Sequence, residues 1–246
     1  MAQQPEGPRA ERGAETHVGT RSLDAPTLAE DLLLLLFQPD SGTIAGENTL
    51  SYVLAGAVLA DLAAGEHISA APSRMGFLNV EAVERRAPTD RILRSAWDYV
   101  AARPRGVQTV LAAIGPTLRE PLLERLLTRR DLRQESRTTL GLFKTTVIVE
   151  GGNGRRARIL SDVREVLAGG AEPTPRSAAL SALLWGSGTL PQFDPTIPWT
   201  SEVIARAQEL ERGNWGAGAA AEAVTRTMTA IIAGSVLVAA AARPQG

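Results

Sequence analysis

An uninterrupted apolar run that directly follows an acidic pair restricts the fold of this chain more than any other feature. The sequence Thr27-Leu-Ala-Glu30 has the spacing of a capping box, in which the Thr27 hydroxyl and the Glu30 carboxylate each accept from the other's backbone amide at a helix start. Residues 32–37 then place six consecutive apolar side chains on the same helix. A helix without a polar face for water must be buried on nearly all sides, so we expect it in the centre of the fold.

Helical periodicity and stop signals continue along most of the chain. Further helices are predicted over residues 48–64, 90–102, 107–114, 118–130, 155–169, 174–185, 201–212 and 219–241. Their apolar stretches are shorter than the roughly 20 residues needed to cross a bilayer, so we interpret them as core helices. Aromatic residues are 4% of the chain, which favours a leucine- and alanine-rich helical core over a β-sandwich.

One segment has the composition of strands instead. Residues 138–150 combine four threonines with apolar residues that include Phe143, Val147 and Val149. We predict an exposed hairpin here, with those three side chains as a self-association edge. Gly151-Gly-Asn-Gly154 is interpreted as a hairpin turn rather than a phosphate loop, because its spacing fits no nucleotide fingerprint.

These patterns define a fold class and a domain organisation. The chain is predicted to be mainly α, with a single globular helical domain around a central helix bundle and a projecting β-hairpin. The domain covers residues 26–243. Residues 1–25 are rich in Gln, Pro, Gly, Glu and Arg without an apolar period, so they are predicted to form a disordered N-terminal tail.

Motifs for catalysis or metal binding are missing from the sequence. It has no cysteine and two histidines, and it lacks the G-x-S-x-G, Walker and H-E-x-x-H patterns. We therefore predict no catalytic residue, no metal site and no cofactor, and we interpret His67 as a capping or surface residue. A glycosidase-type carboxylate pair is the remaining enzymatic alternative. The absence of cysteine and of an apolar leader favours a cytoplasmic protein.

Charge is nearly balanced but its basic part is almost entirely arginine. The formal net charge is −1, which argues against nucleic acid as the main partner. Lys144 is the only lysine, and the arginines include the doublets Arg85-Arg86, Arg129-Arg130 and Arg155-Arg156. These doublets are interpreted as solvated helix faces or, alternatively, as sites that capture phosphate or lipid headgroups.

The two opening helices resemble those of the Golgi phosphoprotein 3-like family. The resemblance lies in the leucine-rich run at residues 28–36 and in the glycine-centred run at 53–63 that ends Asp-Leu-Ala. It continues in order to about residue 242. It implies a mostly helical domain with a hairpin used in self-association. In eukaryotic relatives it implies binding to phosphatidylinositol 4-phosphate and to membrane-protein tails.

The resemblance also implies where a lipid site would lie. The family's pocket uses a Trp and an Arg near the start of the second helix, at positions that fall near Gly46 and Ala55 here. Two basic residues of a later helix fall near Thr117 and Glu120, beside Arg119. Arg119 and Arg125 are therefore the candidate headgroup contacts. The implied protein is a peripheral adaptor on the cytoplasmic face of a membrane.

Two other functions fit parts of the sequence. An arginine-bearing helix at residues 118–130 followed by a hairpin imitates a winged helix, which predicts a nucleic-acid-binding regulator that the net charge disfavours. A scaffold that acts only through self-association of the hairpin edge is the other alternative.

Overall fold

A computed structural model of the chain describes residues 25–72, 78–139, 143–213 and 222–242, with side chains at all of these except 72, 137–139, 143–144 and 222–228. The predicted tail, apart from Ala25, lies outside this set. Within it, the mainly α fold class is confirmed. The helices are α1 (Leu28–Leu36), α2 (Glu47–Ala64), α3 (Arg91–Ala101), α4 (Val107–Ile114), α5 (Arg119–Thr128), α6 (Arg155–Leu167), α7 (Pro175–Ser187), α8 (Ser201–Glu211) and α9 (Glu222–Ala241).

Helix α1 has the predicted capping box and the predicted burial. The Thr27 amide donates to Glu30 Oε2 at 2.7 Å, and the Glu30 amide donates to Thr27 Oγ1 at 3.1 Å. All nine residues of α1 are buried. Helices α2, α5, α6 and α7 pack around it, so the leucine run lies at the centre of the domain.

Helices α2, α7 and α9 form the other half of the core, and small residues set their spacing. A Cβ added at Gly56 of α2 would lie 2.3 Å from Ser235 Oγ of α9. One added at Gly186 of α7 would lie 2.4 Å from Val236 Cγ2. Because no side chain separates the backbones, α9 approaches both helices closely. No helix in the described part of the chain is long and apolar enough to span a membrane.

The strands form three small antiparallel sheets at the periphery of the helices. Their bounds are β1 (Phe37–Gln38), β2 (Thr43–Ile44), β3 (Ile68–Pro72), β4 (Leu78–Ala82), β5 (Arg105–Gly106), β6 (Leu132–Thr139) and β7 (Phe143–Glu150). The sheets are β1-β2, β3-β4-β5 and β6-β7. In the last of these, Leu132 pairs with Glu150 and Thr139 with Phe143, which makes a hairpin of two eight-residue strands.

The predicted hairpin exists, but its position was wrong. Its first strand begins at Leu132 rather than at residue 138, and Gly151-Gly-Asn-Gly154 does not close it. Those glycines instead connect β7 to α6, where Gly152 and Gly154 have positive φ and Asn153 Oδ1 accepts from the Arg155 amide at 3.0 Å. The first strand was not predicted because it is mostly polar and has no apolar alternation to mark it.

Candidate functional site

The acidic pair of α1 is buried and binds arginines from the surrounding helices. Glu30, with a fully buried side chain, accepts from Arg129 Nε at 2.8 Å and lies 3.9 Å from Arg125 Nη1. Arg125 also pairs with Asp90, the N-cap of α3. Glu30 therefore joins the start of α1 to α5 and, through Arg125, to α3.

Asp31, the next residue of α1, likewise binds arginines from other helices. Its carboxylate binds Arg155 of α6 and accepts from Arg176 Nε of α7 at 2.7 Å. Arg155 also binds Asp131, which accepts a second bond from Asn153 Nδ2 at 2.6 Å. The two acids thus connect α1 to α5, α6 and α7 in a part of the fold where unpaired charges would be costly.

This ionic cluster corrects the interpretation of two arginine doublets. Arg129 and Arg155, the first members of their pairs, have side chains only 13% and 12% exposed. They are neither solvated nor available to a headgroup. The sequence feature that indicates buried ion pairs is the position of Glu30 and Asp31 immediately before the apolar run of the same helix. Two carboxylates that are buried with such a helix require cationic partners.

A groove lies between α3 and α5 and contains one of the two predicted site residues. Its volume is about 870 Å³, and its charged lining residues are Asp90, Arg91, Glu124, Arg125 and Arg129. Thr117 and Leu118, just before α5, complete one end, and Ile92, Ala96 and Ile114 supply apolar wall. The groove therefore combines three arginines and two carboxylates with an apolar surface.

Asp90 remains ionised in this groove over most of the pH range. Burial alone raises the pKa of Asp90, but hydrogen bonds from Arg125 and from the Leu93 and Ile92 amides outweigh it and hold the pKa below its usual value. Arg125 is 17% exposed and fixed against this carboxylate, so it presents only one edge to the groove.

Arg119, the other predicted residue, lies outside the groove lining. It is in the first turn of α5, half exposed, and pairs with Glu47 at the start of α2 through Nη2 and Oε1 at 3.0 Å. Six residues of helix turn about 600°, which leaves Arg119 and Arg125 about 120° apart around the axis. The structure does not bring the two guanidinium groups onto one ligand.

Among the other positions implied by the resemblance, Gly46 lies at the start of α2 and Thr117 follows a close contact with α2. A Cβ at Gly115, two residues before Thr117, would lie 2.5 Å from the Ser51 carbonyl of α2. Gly46 caps α2 with φ 71°, and Ala55 is fully buried. The start of α2 therefore adjoins the start of α5, with Arg119 and Glu47 as their charged contact.

The predicted self-association residues are placed on one strand. Val147 and Val149 lie on the same face of β7 and are half-buried. Val147 pairs with Glu135 of β6, and Val149 pairs with Arg133. The side chain of Phe143 lies outside the described set. Ile148, on the other face, packs against the core and anchors the base of the hairpin.

His67 lies just beyond the end of α2, where its ring Nδ1 bonds to the Arg86 carbonyl. Its amide donates to the Leu62 carbonyl at 2.8 Å, which closes the helix. Among the residues that the structure describes, no group of three histidine, aspartate or glutamate side chains is placed to hold a metal ion.

Asp61 connects α2 to α1 and gives a prediction about pH. Its Oδ2 accepts from the Leu28 amide at 2.7 Å, and burial raises its pKa to about 7 despite the nearby Arg176. The folded state then binds a proton that the unfolded chain releases, so the free energy of unfolding falls as pH rises from about 4 to about 7. The expected slope is at most about 1.4 kcal/mol per pH unit.

Asp61→Asn separates this effect from other titrations. The amide oxygen still accepts from Leu28, so the variant is expected to be as stable as the natural chain at pH 5 and more stable at pH 8. Urea denaturation at both pH values measures this. Equal pH dependence in the two proteins would contradict the raised pKa.

The architecture defines a class of protein: a single helical domain built on a buried, acid-tipped leucine helix, with a β-hairpin between its fifth and sixth helices. The chain matches the family model described as Golgi phosphoprotein 3 (GPP34) over residues 28–227, and it belongs to that family. A search of curated proteins finds no match to it.

Proposed function

We propose that this protein is a non-enzymatic peripheral membrane adaptor that binds anionic lipid headgroups of the phosphatidylinositol 4-phosphate type. Membership of the Golgi phosphoprotein 3 family carries this proposal. The groove between α3 and α5 and the adjoining start of α2 are the site. A membrane-protein tail is the second partner that the family resemblance implies.

The charge distribution at this end of the molecule supports an anionic ligand. Of the three arginines in the groove lining, Arg129 is paired with the buried Glu30 and Arg125 with Asp90, so Arg91 is the guanidinium most open to an anionic ligand. Arg91, the first residue of α3, is exposed, and Arg125 lies deeper in the groove. A phosphate would therefore meet Arg91 first and the edge of Arg125 below it.

Arg119 contributes in a different way. Its pair with Glu47 is about half exposed on both sides, and such pairs stabilise a protein by about 0–1 kcal/mol. An anionic surface can therefore replace Glu47 as its partner at little cost. Arg125 cannot be released so easily, because its carboxylate partner Asp90 is buried.

The test is flotation with vesicles that contain phosphatidylinositol 4-phosphate. Each arginine near an anionic surface adds about 1 kcal/mol, so Arg119→Gln should weaken binding about fivefold. Arg91→Gln should do the same, and the double variant should show about the product of the two losses.

Arg206→Gln is the matched control. Arg206 is on α8, outside the groove lining, and its pair with Glu209 is also exposed. It should bind like the natural chain. Undiminished binding by the Arg91/Arg119 double variant would refute this site.

A self-associating scaffold is the second candidate, and the hairpin favours it. Strands β6 and β7 pair only with each other in the described structure, and an isolated two-stranded hairpin is marginally stable in water. Packing against a second copy would cover the face that carries Val147 and Val149.

A double substitution, Val147→Glu with Val149→Glu, tests this candidate. It adds two charges to the proposed contact without removing the strand, so the mass by light scattering should fall to that of one chain. Thr145→Glu on the same face, nearer the tip, should have a smaller effect. A natural chain that is already monomeric at high concentration would exclude the scaffold.

A further inference from the structure

Arg156 differs from the arginines that bind α1. It is the second residue of α6, beside Arg155, and its guanidinium is half-buried. Among the described residues, its guanidinium makes one hydrogen bond, from Nη2 to the Leu35 carbonyl at 3.5 Å, the limit for such a bond. Its Nε is buried without a hydrogen-bond partner among the described residues.

The environment of Arg156 disfavours its charge. Burial lowers the pKa of Arg156, and the carboxylates of Glu150 and Asp40 oppose that effect only from a distance. Arg155, by comparison, binds two buried carboxylates directly. A desolvated guanidinium without a close anion is costly, and an acidic ligand group would offset that cost.

A cavity of about 430 Å³ opens at Arg156 between the β1-β2 turn, the start of α6 and the loop after α7. Leu35, Leu160 and Phe193 supply an apolar wall. Two exposed carboxylates, Asp40 and Asp194, also line the cavity.

The cavity is held in shape by bonds across it. Gln38 Nε2 donates to Gln192 Oε1 at 2.5 Å and joins β1 to the loop after α7. Asp194 Oδ1 accepts from the Trp199 amide at 3.2 Å, which leaves the other carboxylate oxygen for a ligand. Asp194 is therefore held in position in the cavity wall.

We infer that this cavity binds a small zwitterion, with its acidic group at the Arg156 guanidinium and its ammonium group at Asp40 and Asp194. One arginine against two carboxylates disfavours a simple anion. A ligand that carries both charges can pair with the arginine and with the carboxylates, and the leucine and phenylalanine wall accepts a short hydrocarbon part. Free α-amino acids and the phosphoethanolamine headgroup share this chemistry.

Isothermal titration calorimetry of the full chain tests the inference with four probes: L-leucine, phosphoethanolamine, inorganic phosphate and ethanolamine. At least one zwitterion should bind at least tenfold more tightly than phosphate or ethanolamine. Preference for leucine would identify a free amino acid as the source. Preference for phosphoethanolamine would identify the headgroup, and flotation with phosphatidylethanolamine vesicles would then separate the lipid from the free compound.

Variants assign the binding to this cavity. Arg156→Gln should lose at least tenfold in affinity, whereas Arg158→Gln, which is exposed on the same helix and outside this cavity, should lose none. Asp194→Asn keeps the acceptor for Trp199 and should weaken the probes that carry an ammonium group, while leaving the binding of phosphate no weaker. No heat with either zwitterion, equal binding of phosphate, or full binding by a folded Arg156→Gln would overturn the inference.

Discussion

Replacing Asp31 with alanine should destabilise the domain by about 3–5 kcal/mol, the usual cost of removing one member of a buried ion pair. The carboxylate is 6% exposed and binds Arg155 and Arg176, which belong to different helices. Without it, Arg176 loses its direct salt-bridge partner, and Arg155 keeps Asp131. Natural domains are stable by about 5–15 kcal/mol, so this is a large fraction of the total.

Urea denaturation measures the effect, and Asp98→Ala is the control. Asp98 pairs with Arg94 one turn earlier on α3 at 2.8 Å, but both side chains are about half exposed. Its removal should cost less than about 0.5 kcal/mol. Similar losses in the two variants would mean that the ionic cluster around α1 does not hold the helices together.

The second large effect is expected at Gly151, where the hairpin meets α6. A Cβ there would lie 1.8 Å from the Arg130 carbonyl oxygen and 2.7 Å from its carbon. Backbone atoms cannot rotate away as a side chain can, and the Gly151 amide is held by the Asp131 carbonyl at 2.8 Å. Gly151→Ala should therefore displace the base of the hairpin and cost about 3 kcal/mol or more.

The adjacent glycine provides the control for that prediction. Gly152 has φ 78°, but a Cβ there would meet nothing within 4 Å. Gly152→Ala should lower the free energy of unfolding only by the strain of an alanine in the left-handed conformation, about 1–2 kcal/mol. Thermal unfolding of the two variants measures the difference. An equal loss of stability at both positions would show that the close approach at Gly151 is unimportant.

The central helix was predictable because its signals are local. The capping box at Thr27 and the apolar run after Asp31 require no knowledge of distant residues, and both appear as expected. The helices after it follow for the same reason. Strand β6 was missed because residues 132–139 are mostly polar, so the burial of Leu132 alone marks its start.

The candidate site was only partly predictable because ion pairs join residues far apart in sequence. Arg125 meets Asp90 across 35 positions, and Arg176 meets Asp31 across 145. Nothing near an arginine in the sequence shows whether its partner is a buried acid or solvent. Arg125 therefore lines the groove while fixed to a carboxylate, and Arg119 lies on another face of α5.

Sedimentation of the natural chain with vesicles tests the proposed function most directly. Neutral vesicles should leave the protein in solution, and vesicles that contain phosphatidylinositol 4-phosphate should carry it down at low salt. Binding should weaken at high salt, because exposed charges are screened beyond about 10 Å at 0.1 M ionic strength. Two results would contradict an anionic-lipid adaptor. The protein could sediment only with the neutral vesicles, or it could sediment with neither kind of vesicle at any salt concentration.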